Sequence, residues 1–440
     1  MLLRKQAWII LLIVLSLAAC DAFGPLAGTS APATSTPDNQ STSAAVTTLV
    51  PGTPDGAGVP SQPSGTITLQ VWLPPEFDPD GGTPAGDLLK ARLEEFSAQN
   101  PGVSIEVRLK AVEGAGGLLE SLVTTSAAAP LALPDLVALP RPLLESAALK
   151  GLIYPYDSPA ITLDSNSWFE YARQLGYLQT TLFGLPFAGD ALALVYRPDM
   201  LSAPGDWQAL LNANSVLVFP AADPNAYFTL TLYLAQGGQL QDEQGRPALT
   251  DRALLNVLGY YQQASAVNLM PFWLTQSETD DQAWATFTAE QHPMLITWLS
   301  HYLAEQRSAT INLALTPLPD EDSGGFTLAT GWTWALASAD PLRRELSTRL
   351  AETLVDETFL AGWTQAAGYL PPRPAALAGW NDSTLRTLVE QIARSAQLVP
   401  PTEVLASLGP LLEQATVSVL KAESTPQTAV QVALEQLYAP

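Results

Sequence analysis

The side chains able to do chemistry in this chain are mostly aromatic and acidic. Eleven tryptophans occur in 440 residues, and only Trp8 lies in the N-terminal leader-like stretch. An indole offers a broad apolar face on which the CH surface of a sugar stacks, while polar neighbours meet the hydroxyls. Trp72, Trp298, Trp332 and Tyr369 are the aromatic candidates for that work. Asp190 suits either accepting hydrogen bonds from ligand hydroxyls or capping a turn between elements. Arg373 suits either a carboxylate ligand or an acid within the fold. For each aromatic the alternative is core packing, and Trp334 is read as core.

Reacting groups are scarce. The chain has one cysteine, Cys20, and two histidines, His292 and His301. A zinc site of the usual Cys/His kind is therefore not expected, nor an intrachain disulfide. His301 follows Ser300, but a nucleophilic triad needs adjacency in space, not in sequence. No G-x-S-x-G, H-E-x-x-H or P-loop occurs. Gly114, Gly116 and Gly117 lie between a strand and a helix, yet the third glycine of a dinucleotide fingerprint would fall on Leu119. A glycosidase needs two facing carboxylates, and 43 acidic residues guarantee pairs without evidencing one. These residues point to no catalytic site, no cofactor and no metal.

Charge narrows the partners. Acidic residues exceed Lys plus Arg by 43 to 20, a formal charge of −23. Phosphate contacts need a basic face, so nucleic acid is not an expected partner. At the N-terminus, Arg4-Lys5, an apolar run Ala7–Leu15 and the small residues before Cys20 describe a secretory leader too short to span a bilayer comfortably. Leu17-Ala18-Ala19-Cys20 resembles a bacterial lipobox, which implies lipid attachment at Cys20. Residues 20–65 are rich in Ser, Thr, Pro and Gly and read as a disordered tether.

Regular structure is expected from Thr66. Ile67, Leu69 and Val71 alternate in a strand, and Thr83-Pro84 opens a helix with Leu89, Leu93 and Phe96 on one face. Val103, Ile105, Val107 and Leu109 alternate in a second strand. Strand, helix, strand at these lengths is a βαβ unit of an α/β domain. A further helix would bury Leu118, Leu119, Leu122 and Val123, and a third strand would cover residues 134–139. Gly184-Leu185-Pro186 reads as a turn leading into an apolar strand, Leu192–Tyr196. Asp340-Pro341 opens a helix with the stripe Leu342, Leu346, Leu350 and Leu354.

Several landmarks fall in one order: the strand ending in Trp72, Asn100-Pro101-Gly102-Val103, LFGLPFAGDALALVYRPDML around Asp190, TGWTWALAS around Trp332, and Gly368-Tyr369-Leu370-Pro371-Pro372-Arg373. In this order the chain resembles the family 1 extracellular solute-binding proteins, the binding components of ABC importers. The resemblance implies a two-lobed periplasmic-binding-protein-like α/β clamp with a hinge of several crossing segments. It implies a leader over 1–19, lobe 1 from 66–190 plus 332–375, and lobe 2 from 191–331 plus 376–440. The candidate ligand residues above would then sit at strand ends and crossings facing a cleft. The implied partners are a small solute, carbohydrate being favoured, ABC permease subunits, and the outer face of the cytoplasmic membrane through Cys20. A surface sensor using the same clamp is the alternative, with a glycoside hydrolase behind it. Where this family carries a threonine before Trp207 and a glycine near Trp298, this chain does not.

Overall fold

A computed structural model describes residues 66–157, 163–164, 166–308, 310–319 and 325–439. The leader, Cys20 and the tether lie outside the described residues. In chain order the strands are β1 (Ile67–Leu73), β2 (Val103–Leu109), β3 (Leu136–Pro140), β4 (Tyr177–Leu178), β5 (Thr181–Leu182), β6 (Gly184–Tyr196), β7 (Leu217–Val218), β8 (Met294–Trp298), β9 (Ala314–Thr316), β10 (Thr327–Leu336) and β11 (Ala396–Leu398). Helices fill most of the remaining described residues. No helix among the described residues is long and apolar enough to cross a membrane.

The first βαβ unit forms as its alternation requires. β1 pairs β2 in parallel, Ile67 opposite Val103 through Leu73 opposite Leu109, and pairs β3 in parallel on its other edge. The intervening helix, Pro84–Gln99, has Thr83 as its N-cap, its side chain accepting from the Gly86 N–H, and buries Leu89, Leu93 and Phe96. Because β2 is an edge strand, its apolar residues are covered only in part, and Leu109 is exposed.

Two expected apolar stripes are narrower than their sequences suggest. In the helix Leu118–Ala128, Leu118 and Leu122 are buried but Val123 is 40% exposed. Val123 stands five residues beyond Leu118, about 140° round the helix from it. In the helix Pro341–Leu354, Leu346, Leu350 and Leu354 are buried, whereas Leu342 is 54% exposed in the first turn.

The main sheet runs β2-β1-β3-β10-β6-β8-β7, with β11 beside β10 and β9 beside β6. Its organising strand is β6, which changes partners along its length. From Gly184 to Ala191 it lies antiparallel to β10; from Leu192 to Tyr196 it lies antiparallel to β8, with β9 on its other edge from Leu194 onward. The expected turn at Gly184–Pro186 is therefore strand. The register of β6 against β10 shifts between Trp332 and Thr333, where Pro186 pairs with Thr333. A bulge is one of the few sheet positions that accept a residue without an N–H.

A third segment joins this crossing. The Gly189 N–H donates to Leu370 O and the Leu370 N–H to Gly189 O, at 2.8 and 2.7 Å, while Gly189 also faces Gly331 of β10. The backbones approach so closely that a Cβ on Gly331 would lie 2.3 Å from Ala188 O and 3.0 Å from the Gly189 Cα. Gly331→Ala is expected to destabilise the chain by about 2 kcal/mol or more, read as a lower denaturant midpoint with unchanged slope. A variant as stable as the parent would contradict this packing.

Candidate functional site

Asp190 stands on β6 one residue before Ala191, the last residue paired with β10. It is 9% exposed. Its Oδ1 accepts from the Ala191 N–H at 2.9 Å and from the Ser300 N–H at 3.1 Å. Burial pushes its carboxyl up to about 7, against the opposing pull of the hydrogen bonds from Ser300 and Ala191. A carboxyl poised there is held by the first turn of the helix Leu299–Ser308, which directly follows β8.

A second acid organises the other side of that turn. Asp280 Oδ2 accepts from Thr297 Oγ1 at 2.8 Å and from the Trp298 N–H at 3.3 Å, and lies 2.8 Å from His301 Nδ1. His301 Nε2 lies 3.1 Å from Asp281 Oδ1. Burial works against the charged imidazole, but the Asp280 hydrogen bond and the charges of Asp280, Asp281 and Asp190 outweigh it and hold His301 above its ordinary value. Ser300 and His301 serve these carboxylates: Ser300 gives its N–H to Asp190, and His301 is spoken for by Asp280 and Asp281.

Next to these groups is a pocket of about 270 Å³ at the carboxyl ends of β7 and β8. Trp298 and Tyr227 form its aromatic corner, edge to face at 5.5 Å. Asp223, Glu278 and Asp280 supply three carboxylates to its lining. Asp223 accepts from the Asn225 and Tyr227 N–H groups at 3.0 Å each, and burial still raises its carboxyl above the usual range. Burial, then the charges of Asp223 and Glu145, push the Tyr227 phenol up to about 12. Glu145 belongs to the helix Arg141–Leu149 that follows β3, so Tyr227 feels a charge from the β1–β3 half of the sheet. Ala226 adopts a left-handed backbone, φ 48°, to start the helix Tyr227–Ala235. The loop is backed by Gly409, where a Cβ would lie 2.5 Å from Pro224 O.

An aromatic cluster surrounds Phe77, just past β1. Trp332, Phe187, Trp363 and Tyr369 each meet its ring edge to face, at 5.0 to 5.7 Å. Tyr369 also stacks on Trp363, and its hydroxyl lies 3.5 Å from Glu76 Oε1. Glu76 is itself raised by its desolvating surroundings, and burial raises the Tyr369 phenol, reinforced by the charges of Glu76 and Asp190.

The sequence candidates therefore divide. Trp332 and Tyr369 share one cluster, while Asp190 and Trp298 flank the Ser300 turn. Trp72 stands apart: it is 2% exposed, with the Lys110 amine 5.0 Å over its ring. Arg373 already holds Glu357 at 2.6 Å and Val355 O at 3.0 Å, with its guanidinium 4.8 Å over Trp168. Trp334 is core, stacked on Phe187 at 4.4 Å. Tyr227, Asp223, Glu278 and Asp280 were not singled out from sequence. The available signals were the Asp-Pro-Asn turn after β7 and the acidic run from Glu278 at a helix start. No group of three or more His, Cys, Asp or Glu among the described residues is arranged to hold a metal ion.

A profile of the family described as bacterial extracellular solute-binding protein matches residues 80–356, more than half the chain. The chain belongs to that family. Solved structures of similar fold include the sugar-binding protein MalE from Xanthomonas citri, 19% identical with a TM-score of 0.69, covering 84% of this chain and 96% of that one. The maltose-binding periplasmic protein MalE from Listeria monocytogenes, in complex with maltose, is 15% identical with a TM-score of 0.69, covering 84% and 97%. Maltose-bound MalE3 from T. maritima is 17% identical with a TM-score of 0.64, covering 84% and 99%. A comparison with curated proteins finds no match. The fold is the two-lobed periplasmic-binding-protein-like α/β clamp, and the chain is an extracellular solute-binding protein by family.

The titration of Asp190 is a direct check on this geometry. Its raised value means that the folded state holds a proton that the unfolded chain has released. Stability contributed this way is present at low pH and is lost as pH rises from about 4 to about 7. His301, also raised, loses its contribution over a higher range. Asp190→Asn should remove the Asp190 part of the slope, so the stability difference between variant and parent should grow in the variant's favour from about pH 4 to about pH 7. Parallel stability curves for the two proteins would place Asp190 in contact with solvent.

Proposed function

We propose that this protein is the extracytoplasmic binding component of an ABC importer, taking a sugar or oligosaccharide between its lobes and presenting it to a membrane permease. The observation that carries this reading is the pocket at the ends of β7 and β8, where Trp298 and Tyr227 stand beside Asp223, Glu278 and Asp280. Aromatic faces meet the CH surface of a sugar, and carboxylates accept from its hydroxyls. Ligands of open α/β sheets bind at the carboxyl ends of strands. The carbohydrate named for the similar solved structures supports the same class.

In this reading the lobes are 66–190 with 332–375 and 191–331 with 376–440, and the partner change along β6 supports that division. Asp190 sits at the pivot and accepts a ligand hydroxyl. Trp298 stacks on the ligand from the second lobe; Tyr369 and Trp332 close on it from the first. Trp72 and Arg373 serve the fold, as their burial and pairing indicate. Closure is a shift of an open–closed equilibrium by the ligand's preference for the closed state. In this reading the ligand leaves unchanged, as the solute-binding character of the family supports. A lipid on Cys20 and the tether over 20–65 would hold the clamp near the membrane while letting it reach the permease.

The test is calorimetric titration with maltose, maltotriose and a panel of other neutral oligosaccharides, with mass spectrometry of the recovered ligand. Intact ligand and a saturable heat are expected. Trp298→Ala should weaken binding roughly thirtyfold, about 2 kcal/mol, and Trp72→Phe should leave it unchanged. Shortened product would establish a hydrolase, and silence across the panel would overturn carbohydrate as the ligand class.

A further inference from the structure

The helix Tyr227–Ala235 has the acidic pocket at its first turn and a different concavity at its far end. That second concavity has a volume of about 390 Å³, within the roughly 300–1,000 Å³ of small-molecule sites. It lies between this helix and the helices Trp207–Leu211 and Asp251–Ala266. None of its lining residues carries a charge. In a chain with 43 acidic residues and a net charge of −23, a charge-free hollow walled by polar groups is a distinct chemical environment.

Its walls are two aromatic rings and four carboxamides. Trp207 and Tyr260 meet edge to face at 5.6 Å and are only partly buried. The carboxamides of Gln208, Gln236, Asn256 and Gln263 ring them, over a floor of Leu232 and Val257. These amides are held loosely and keep much of their capacity. Asn256 Nδ2 donates to Gln236 Oε1 at 3.1 Å, which leaves Asn256 Oδ1 and the Gln236 amino group open. Gln263 donates to Gly259 O at 3.3 Å and keeps its oxygen. The Gln208 side chain makes no hydrogen bond among the described residues. The Tyr260 hydroxyl donates to Trp207 O at 3.3 Å and can still accept.

Each amide presents both a donor and an acceptor. A hydroxyl, which also donates and accepts, is met by such a surface without the desolvation of a charge that ions would demand. A cation or anion would find no counter-charge here, and a purely apolar ligand would strand the amides. We infer that this groove is a second binding site, for a neutral oligosaccharide, with Trp207 and Tyr260 as the stacking faces and the four carboxamides as hydroxyl partners. It is separate from the acid-lined pocket and does not depend on what that pocket binds. Along the helix their nearest lining residues, Phe228 and Leu232, are one turn, roughly 6 Å, apart.

The test uses the chain labelled with 5-fluorotryptophan and observed by fluorine NMR, with the Trp207 and Trp298 signals assigned from Trp207→Phe and Trp298→Phe. Maltotriose, cellotriose and xylotriose are the probes. The Trp207 signal is expected to move saturably with at least one of them. In the double variant Gln208→Ala, Gln263→Ala it should stay still, with the melting temperature and the remaining tryptophan signals unchanged. Both replaced side chains are exposed, so the fold should tolerate their loss. A Trp207 signal indifferent to all three probes overturns the site. So does one that moves equally in the double variant, since that shift would be transmitted from elsewhere. The acid-lined pocket is read independently at Trp298, so failure of either site is distinguishable from failure of the other.

Discussion

One strand serves two half-sheets. β6 is hydrogen-bonded to β10 through Ala191 and to β8 from Leu192 onward, so at one peptide the chain leaves one set of neighbours and enters another. A buried strand must have its backbone groups satisfied on both edges, and at the changeover neither half-sheet does this alone. The structure meets the demand with Leu370 bonded both ways to Gly189, with Val399 donating to Ala329 O, and with Thr327 Oγ1 donating to Leu192 O. Several distant stretches of sequence are thereby drawn to one place. Gly331 is small there because the backbone of Ala188 and Gly189 fills the space, and Gly189 because the Tyr171 ring does.

The same constraint explains why an acid is buried at the pivot. The first turn of the helix after β8 offers an unsatisfied N–H at Ser300, and Asp190 accepts it. Helix starts favour a carboxylate both by hydrogen bonding and by the local dipole. Burial opposes ionisation strongly enough that the carboxyl sits near neutrality. A group balanced this way gains most from a partner that arrives and donates a hydrogen bond, which is what a solute hydroxyl can do. Under the proposed function, the fold's hinge and its ligand chemistry would be one feature.

Much of this was legible in the sequence because it is local. The alternation of Ile67, Leu69 and Val71, the Thr83 and Asp340 caps and the apolar run after Asp190 each declare an element without knowledge of the rest. The order of those elements then carried the architecture. What the sequence concealed is what depends on remote packing. Pro186 signals a turn in isolation, yet a bulge opposite Thr333 makes it strand. The residue types left Arg373 open between a ligand and an acid of the fold, and Trp72 open between cleft and core; only the packing assigns Glu357 to the one and burial to the other. Asp223 and Tyr227 are presented by a loop whose shape rests on Gly409, far along the chain. The groove at Trp207 is invisible to motif reading because amides at helical spacing resemble any solvated face.

The central claim is that the two lobes pivot at residues 190–191 and close on a solute. Small-angle X-ray scattering of the protein, with and without a saturating oligosaccharide shown by calorimetry to bind, tests it most directly. A smaller radius of gyration with ligand, reversed on its removal, is the predicted result. A bound ligand that leaves the scattering curve unchanged would contradict the clamp.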